Sequence, residues 1–156
     1  MASVGYGIFT EAAVALAAAT AKSIIGAKAH ANSGLQLKSF EVAFDGVTAA
    51  GVPVLVEVMY ATFATNSPGT ASTSGTVRQQ YGRLLTAGFT CAYAWTTEPT
   101  VLTPIKRFTL APDKGIIAYQ WPLGQEPDSA LAEGFVIRCN APAIVNANAS
   151  MVLERI

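Results

Sequence analysis

Apolar residues recur at every second position along much of this chain, most clearly in "PVLVEVMYATF" (Pro53 to Phe63). Val54, Val56, Val58 and Tyr60 fall on one side of an extended chain; Leu55, Met59 and Phe63 fall on the other, with Glu57 among them. Successive side chains of a strand point to opposite faces, so the stretch predicts a central strand covered on both sides. In "LQLKSFEVAF" (Leu35 to Phe44), Leu35 and Leu37 share one phase, whereas Phe40, Val42 and Phe44 share the other. One extra residue shifts a strand in this way, so Lys38-Ser39 predicts a β-bulge. Asp45-Gly46 then reads as a turn. The alternation returns in "KSIIGAKA" (Lys22 to Ala29), "TCAYAW" (Cys91, Tyr93 and Trp95 on one face), "IKRFTL" (Ile105 to Leu110) and "GIIAYQW" (Ile117, Tyr119, Trp121). It recurs in "GFVIRCN" (Phe135, Ile137, Cys139) and in the tail "NASMVLERI" (Met151, Leu153). About eight strands joined by Gly, Pro and Ser connections predict one all-β sandwich or barrel.

Three stretches are less regular. "TEAAVALAAATA" has the alanine content of a helix that Thr10 would cap, yet Val14 and Leu16 alternate. It is read as a first strand or an extended arm, dividing the chain into residues 1–21 and a sandwich domain over 22–156. "TNSPGTASTSGT" (Thr65 to Thr76) is a polar loop of the length that is usually functional or mobile. "VRQQYGRLL" either presents Tyr81 at an interface or is an ordinary strand with Val77 and Tyr81 inside.

Composition changes the picture in one respect. Of 156 residues, 51% are apolar and only 13% charged, about half the usual charged share of a soluble domain. Ten basic residues balance ten acidic ones, which leaves no electrostatic footprint for nucleic acid or an anionic membrane. A surface so poor in charge points to one that is covered in an oligomer or larger assembly, with alanine, indifferent to exposure, as the competing explanation of the apolar share. "EAAVALAAATA" is not preceded by a positive region and is too short and alanine-rich for a membrane helix.

The candidate chemistry is sparse. His30 is the single histidine and reads as a solvated loop residue; a catalytic triad or zinc site would need partners that its neighbours do not offer. Cys91 and Cys139 lie on apolar faces and read as buried free thiols, with a cross-strand disulfide or a nucleophile as alternatives. Glu126, Asp128 and Glu133 crowd "QWPLGQEPDSALAEGFVIRCNAP". Paired carboxylates there would suit glycoside hydrolysis or calcium. With no histidine nearby, the stretch reads instead as a solvated loop or a subunit contact. No catalytic, cofactor or metal residue is assigned, and Asn148-Ala149-Ser150 fits the glycosylation pattern only as short triplets do by chance.

Four blocks carry a family resemblance: "LQLKSFEVAFDGVTAAGVPVLVEV", "YGRLLTAGFT", "WTTEPTVL" and "PLGQEPDSALAEGFVIRCNAPAIVNANASM". The chain resembles, over nearly all of its length, small virion structural proteins of tailed bacteriophages, of the capsid decoration (cement) type. The resemblance implies a jelly-roll-like β-sandwich that assembles as a homotrimer or other oligomer. It implies the phage major capsid protein as partner, a place on the capsid surface after assembly in the bacterial cytoplasm, and no enzymatic activity. Candidate intersubunit or shell contacts are Tyr6, Ile8 and Phe9 in the N-terminal arm, Tyr81 and Arg83, and Glu126, Asp128 and Glu133. The alternative is a tail or fibre module that binds host glycan through Thr65 to Thr76 and Trp95 to Thr100. A glycosidase or a cupin-like protein is a more distant reading, and the latter would need several histidines.

Overall fold

A computed structural model describes residues 3–45 and 51–156 of the chain. The described residues form twelve strands: β1 (Gly5–Phe9), β2 (Val14–Leu16), β3 (Thr20–Lys28), β4 (Leu35–Asp45), β5 (Val54–Ala61), β6 (Thr73–Ser74), β7 (Arg78–Tyr81), β8 (Thr90–Tyr93), β9 (Leu102–Leu110), β10 (Ile116–Gln120), β11 (Gly134–Ala141) and β12 (Val145–Arg155). The only helical element among them is one 3-10 turn, Pro112–Lys114, and none of their helices is long and apolar enough to cross a membrane.

The strands make an antiparallel β-sandwich. One sheet has the order β10-β4-β12-β1-β7, with β2 also on β12; the other has the order β6-β8-β3-β11-β5-β9. They are called here the β12 sheet and the β11 sheet. Most connections pass from one sheet to the other, as amphipathic strands require when each sheet buries one face against its partner. Val54, Val56, Val58, Phe135, Ile137 and Cys139 enter the core from the β11 sheet; Leu37, Phe40, Val42, Met151 and Leu153 enter from the β12 sheet.

The bulge falls where the phase slips. Val152 pairs with Ser39 and Leu153 with Leu37, so Lys38 is the extra residue. Leu37 and Phe40 both face the core across it, while Lys38 and Ser39 are half-buried. A second slip lies hidden in "TCAYAW". Ala94 takes a left-handed conformation, φ 54°, and moves the following residue to the opposite face. Cys91 packs in the core between the sheets, whereas Trp95 packs outside the β11 sheet with Phe63 and Val136. Cys91 and Trp95 therefore do not share a face.

The first 21 residues supply strands. Gly5 to Phe9 pair with β12 and β7, and Val14 to Leu16 pair with β12. Thr10 caps no helix; its Oγ1 accepts the Ala149 N–H at 3.2 Å in the gap between β1 and β2. Of the Asp45-Gly46 turn, Gly46 lies outside the described residues.

Candidate functional site

The registers bring several strand ends into one row. Leu35 faces Arg155, and Gly5 faces both Glu154 and Tyr81 in the β12 sheet. Thr90, Gly134 and Lys28 lie level in the β11 sheet, with Ala61 beside Gly134. The segments 29–34, 82–89 and 121–133 and the C-terminus therefore meet at one end of the sandwich.

Two of these segments share an inverted design, with polar groups turned inward and leucines turned outward. In 82–89, the Gln79 side-chain amide donates to the carbonyl oxygens of Gly82 (3.1 Å) and Arg83 (2.9 Å) and accepts the Leu85 N–H (3.0 Å). Tyr6 Oη donates to the Leu85 carbonyl at 3.3 Å. Gly82 adopts φ 94°, and a Cβ there would lie 2.5 Å from the Ser3 carbonyl oxygen, so only glycine closes this turn. The turn so fastened displays Leu84, 88% exposed, and Leu85.

The segment 121–133 is built likewise. Glu126 accepts from Lys38 Nζ at 2.5 Å and from the Gly124 N–H at 2.6 Å. Leu37 N donates to the Pro127 carbonyl (3.0 Å), Ser129 N to the Leu35 carbonyl (2.8 Å) and Leu35 N to Ser129 Oγ (3.0 Å). The bulge at Lys38 thus serves the site, because it turns that ammonium out to meet Glu126. Leu123, 93% exposed, and Leu131 stand on the outside, and Ile156 is exposed at the same end. Hydrogen bonds to the backbone hold both turns beneath these apolar side chains. Burying one leucine on association is worth about 1.5–3 kcal/mol.

The expected contact residues divide. Tyr6 and Ile8 are core residues, 3% and 1% exposed, because β1 lies inside the β12 sheet between β12 and β7; they are not available to a partner in the folded chain. Phe9 is partly exposed, but the Arg78 guanidinium lies over its ring at 4.3 Å and pairs with Glu11 at 2.7 Å. That pairing holds the Glu11 carboxyl below the usual carboxylate range. Tyr81 lies across Gly5, where a Cβ would strike its ring, and its hydroxyl donates to Glu154 at 2.7 Å. Burial, then the Glu154 carboxylate, pushes the Tyr81 phenol up to about 12. Arg83 is exposed beside Leu84.

Glu126, by contrast, is an internal clasp rather than a free acid. The Lys38 ammonium holds its carboxyl below the ordinary range, helped by backbone N–H groups. Asp128 is exposed, and its backbone bridges to Gln36. Glu133 is half-buried, and its carbonyl accepts the Ala29 N–H at 2.8 Å. The three carboxylates do not converge, and the described residues hold no group of three or more His, Cys, Asp or Glu that could bind a metal. His30 is exposed, and its Nδ1 accepts the Asn32 N–H at 3.3 Å. Cys91 and Cys139 are buried free thiols; burial pushes Cys91 up to about 11 and Cys139 further still.

The polar loop is tied down. Trp95 Nε1 donates to the Asn66 carbonyl (2.9 Å), Asn66 Nδ2 to the Glu98 carbonyl (2.9 Å), and Thr65 N to Thr100 Oγ1 (2.9 Å). Thr73–Ser74 pair with β8. It serves as a lid over the β11 sheet, with Trp95 buried beneath it at 1% exposure. Sequence reasoning passed over Leu84, Leu123 and Leu131. Their signal was leucine within connections punctuated by Gly and Pro, two in each: Leu84 and Leu85, and Leu123 and Leu131.

No family model matches the chain, and neither a curated protein nor a solved structure matches it.

Proposed function

We propose that the chain is a non-enzymatic structural protein of a tailed-phage virion, which decorates the capsid shell as an oligomer and stabilises it. The carrying observation is the leucine-bearing end: Leu84 and Leu123 stand out on turns whose backbones are fastened from within. Ordered, outward apolar groups on a chain of low charge suit a surface that is buried after assembly. Binding of this kind stabilises only the shell state that offers the matching surface.

Strand order supports the jelly-roll form of this reading. Without the insertion β6–β8, and with β1 and β2 taken as one strand on β12, eight strands remain. Renumbered along the chain, they run 1-8-3-6 in one sheet and 2-7-4-5 in the other, the interlocked double Greek key of a jelly roll. Sugar rings stack on exposed aromatics, which a glycan site in Thr65 to Thr76 and Trp95 to Thr100 would need. Thr65 to Thr76 contains none, and Trp95 is buried.

The test is co-sedimentation of purified protein with expanded phage shells that lack it, alongside its mass in solution. Stoichiometric binding by an oligomer is expected, together with loss of binding in a Leu84→Ser/Leu123→Ser variant whose melting temperature is unchanged. A monomer that ignores shells and binds host polysaccharide overturns the proposal.

A further inference from the structure

Open sheet edges invite strand addition, and natural sheets blunt them with charge, proline, bulges or brevity. Four of the five edge strands among the described residues are blunted. β9 carries Pro104, Lys106, Arg107 and a bulge; β7 carries Arg78 and a bulge; β6 has two residues and β2 three. The fifth, β10, reads "IIAYQ". It has no charge, no proline and an unbroken register against β4, from Ile116 opposite Ala43 to Gln120 opposite Ser39. Ile116 is 57% exposed on it.

We propose that β10 pairs with the β10 of a second copy of this chain, antiparallel, about a two-fold axis through Ala118. Trp121 N donates to the Lys38 carbonyl at 3.0 Å and continues the β4 ladder. Backbone groups alternate in direction along an antiparallel edge. Ile117 and Tyr119 therefore turn their N–H and C=O to β4, whereas Ile116, Ala118 and Gln120 turn theirs outward. The outward set is symmetric about Ala118. A two-fold places Ala118 opposite itself and Ile116 opposite Gln120, each pair exchanging both backbone bonds.

The side chains agree. Ile117 falls opposite Tyr119, a β-branched–aromatic pair that stabilises antiparallel strands. Alanine at the axis removes any clash of a side chain with its own copy. The closest charge on the neighbouring edge, Lys106, is turned onto the rings of Tyr119 (4.2 Å) and Trp121 (5.4 Å). Glu41, across from Ala118 on β4, would lie three strand spacings from its copy, about 14 Å, beyond the screening length in physiological salt. A charged peptide from another protein would meet no complementary charge within β10 itself, so the edge favours its own copy as occupant.

This goes beyond the decoration proposal, which asks only for some oligomer. Light scattering should find the wild type as a dimer or an even multiple. Ala118→Pro should halve that mass and leave a folded chain by circular dichroism, because the lost N–H makes no bond to β4. Ala118→Cys should cross-link as a dimer under mild oxidation, since opposed residues of a bonded pair sit about 5.5 Å apart, within disulfide reach. This variant decides the matter if the proline variant does not fold. A monomeric wild type overturns the pairing, as does an oligomer whose mass the proline leaves unchanged or a cysteine variant that stays uncross-linked. A trimer unaffected by the proline that still binds shells refutes this pairing and leaves the decoration reading standing.

Discussion

The two sheets bury their inner faces alike and treat their outer faces in opposite ways. On the β11 sheet, Trp95 lies over Gly26, where a Cβ would come within 3.1 Å of the indole, and packs beside Phe63 at 6.4 Å between ring centres. Segments 62–72 and 94–101 close over it. Beside this cluster Glu57 is 3% exposed, held by Arg138 at 2.7 Å and Arg107 at 2.8 Å from the strands on either side. On the β12 sheet, Asn146, Asn148 and Ser150 are only half-buried and Glu41 is exposed. Three charges, Lys38, Glu126 and Glu154, gather at the leucine-bearing end with Tyr81. A buried carboxylate loses its hydration and needs dedicated cations: Glu57 has two from its own sheet, and Glu126, 4% exposed at the rim, has Lys38. The β11 sheet covers its outer face with its own segments, and the β12 sheet leaves its face and its β10 edge free.

The contrast can be broken most directly at Trp95. Trp95→Ala should destabilise the fold by about 3–5 kcal/mol, read as a shift in the urea midpoint. Asn148→Ala on the open face should change it by no more than about 0.5 kcal/mol. Equal effects at the two positions would mean that the two outer faces are not distinct. Next, Glu57→Gln keeps the shape but weakens three charge-assisted bonds, two from Arg138 and one from Arg107, and leaves two guanidiniums with one neutral acceptor. A loss of about 2 kcal/mol is expected, read as a shift in the urea midpoint.

The smallest effect belongs to the open side and depends on pH. Lys38 lowers the folded-state value of the Glu126 carboxyl beneath its ordinary 4.5. Its contribution is then present above the ordinary value and is lost as pH falls through the lowered one. The melting-temperature gap between wild type and Glu126→Gln should be widest at neutral pH and close in acid. A gap that stays constant into strong acid would show that the clasp works by shape alone.

Much of the fold was legible because period-two patterning states which residues want the core. Val54, Val56 and Val58 face inward as the alternation requires, and the slip at Lys38-Ser39 marks the bulge to the residue. The N-terminal segment was harder to read, since alanine suits helix, strand and surface alike. Only pairing with β12 settles Gly5 to Phe9 as a strand inside a sheet, with Tyr6 and Ile8 in the core rather than on an arm. Trp95 was placed on the wrong face because a single positive φ, at Ala94, inverts the pattern without leaving a sequence signature such as glycine. The site was less legible still. Glu126 looked like one of three free acids until Lys38, 88 positions away, was brought against it.

Sequence alone determined that this is an all-β chain of alternating strands with little charge, because burial preferences are written residue by residue along a strand. Which faces are covered, which acids are already paired and which edge stands open were decided by tertiary structure. Each depends on a partner distant in the chain: Trp95 on Gly26 and Asn66, Glu57 on Arg107 and Arg138, and the free side of β10 on the absence of any described strand beside it.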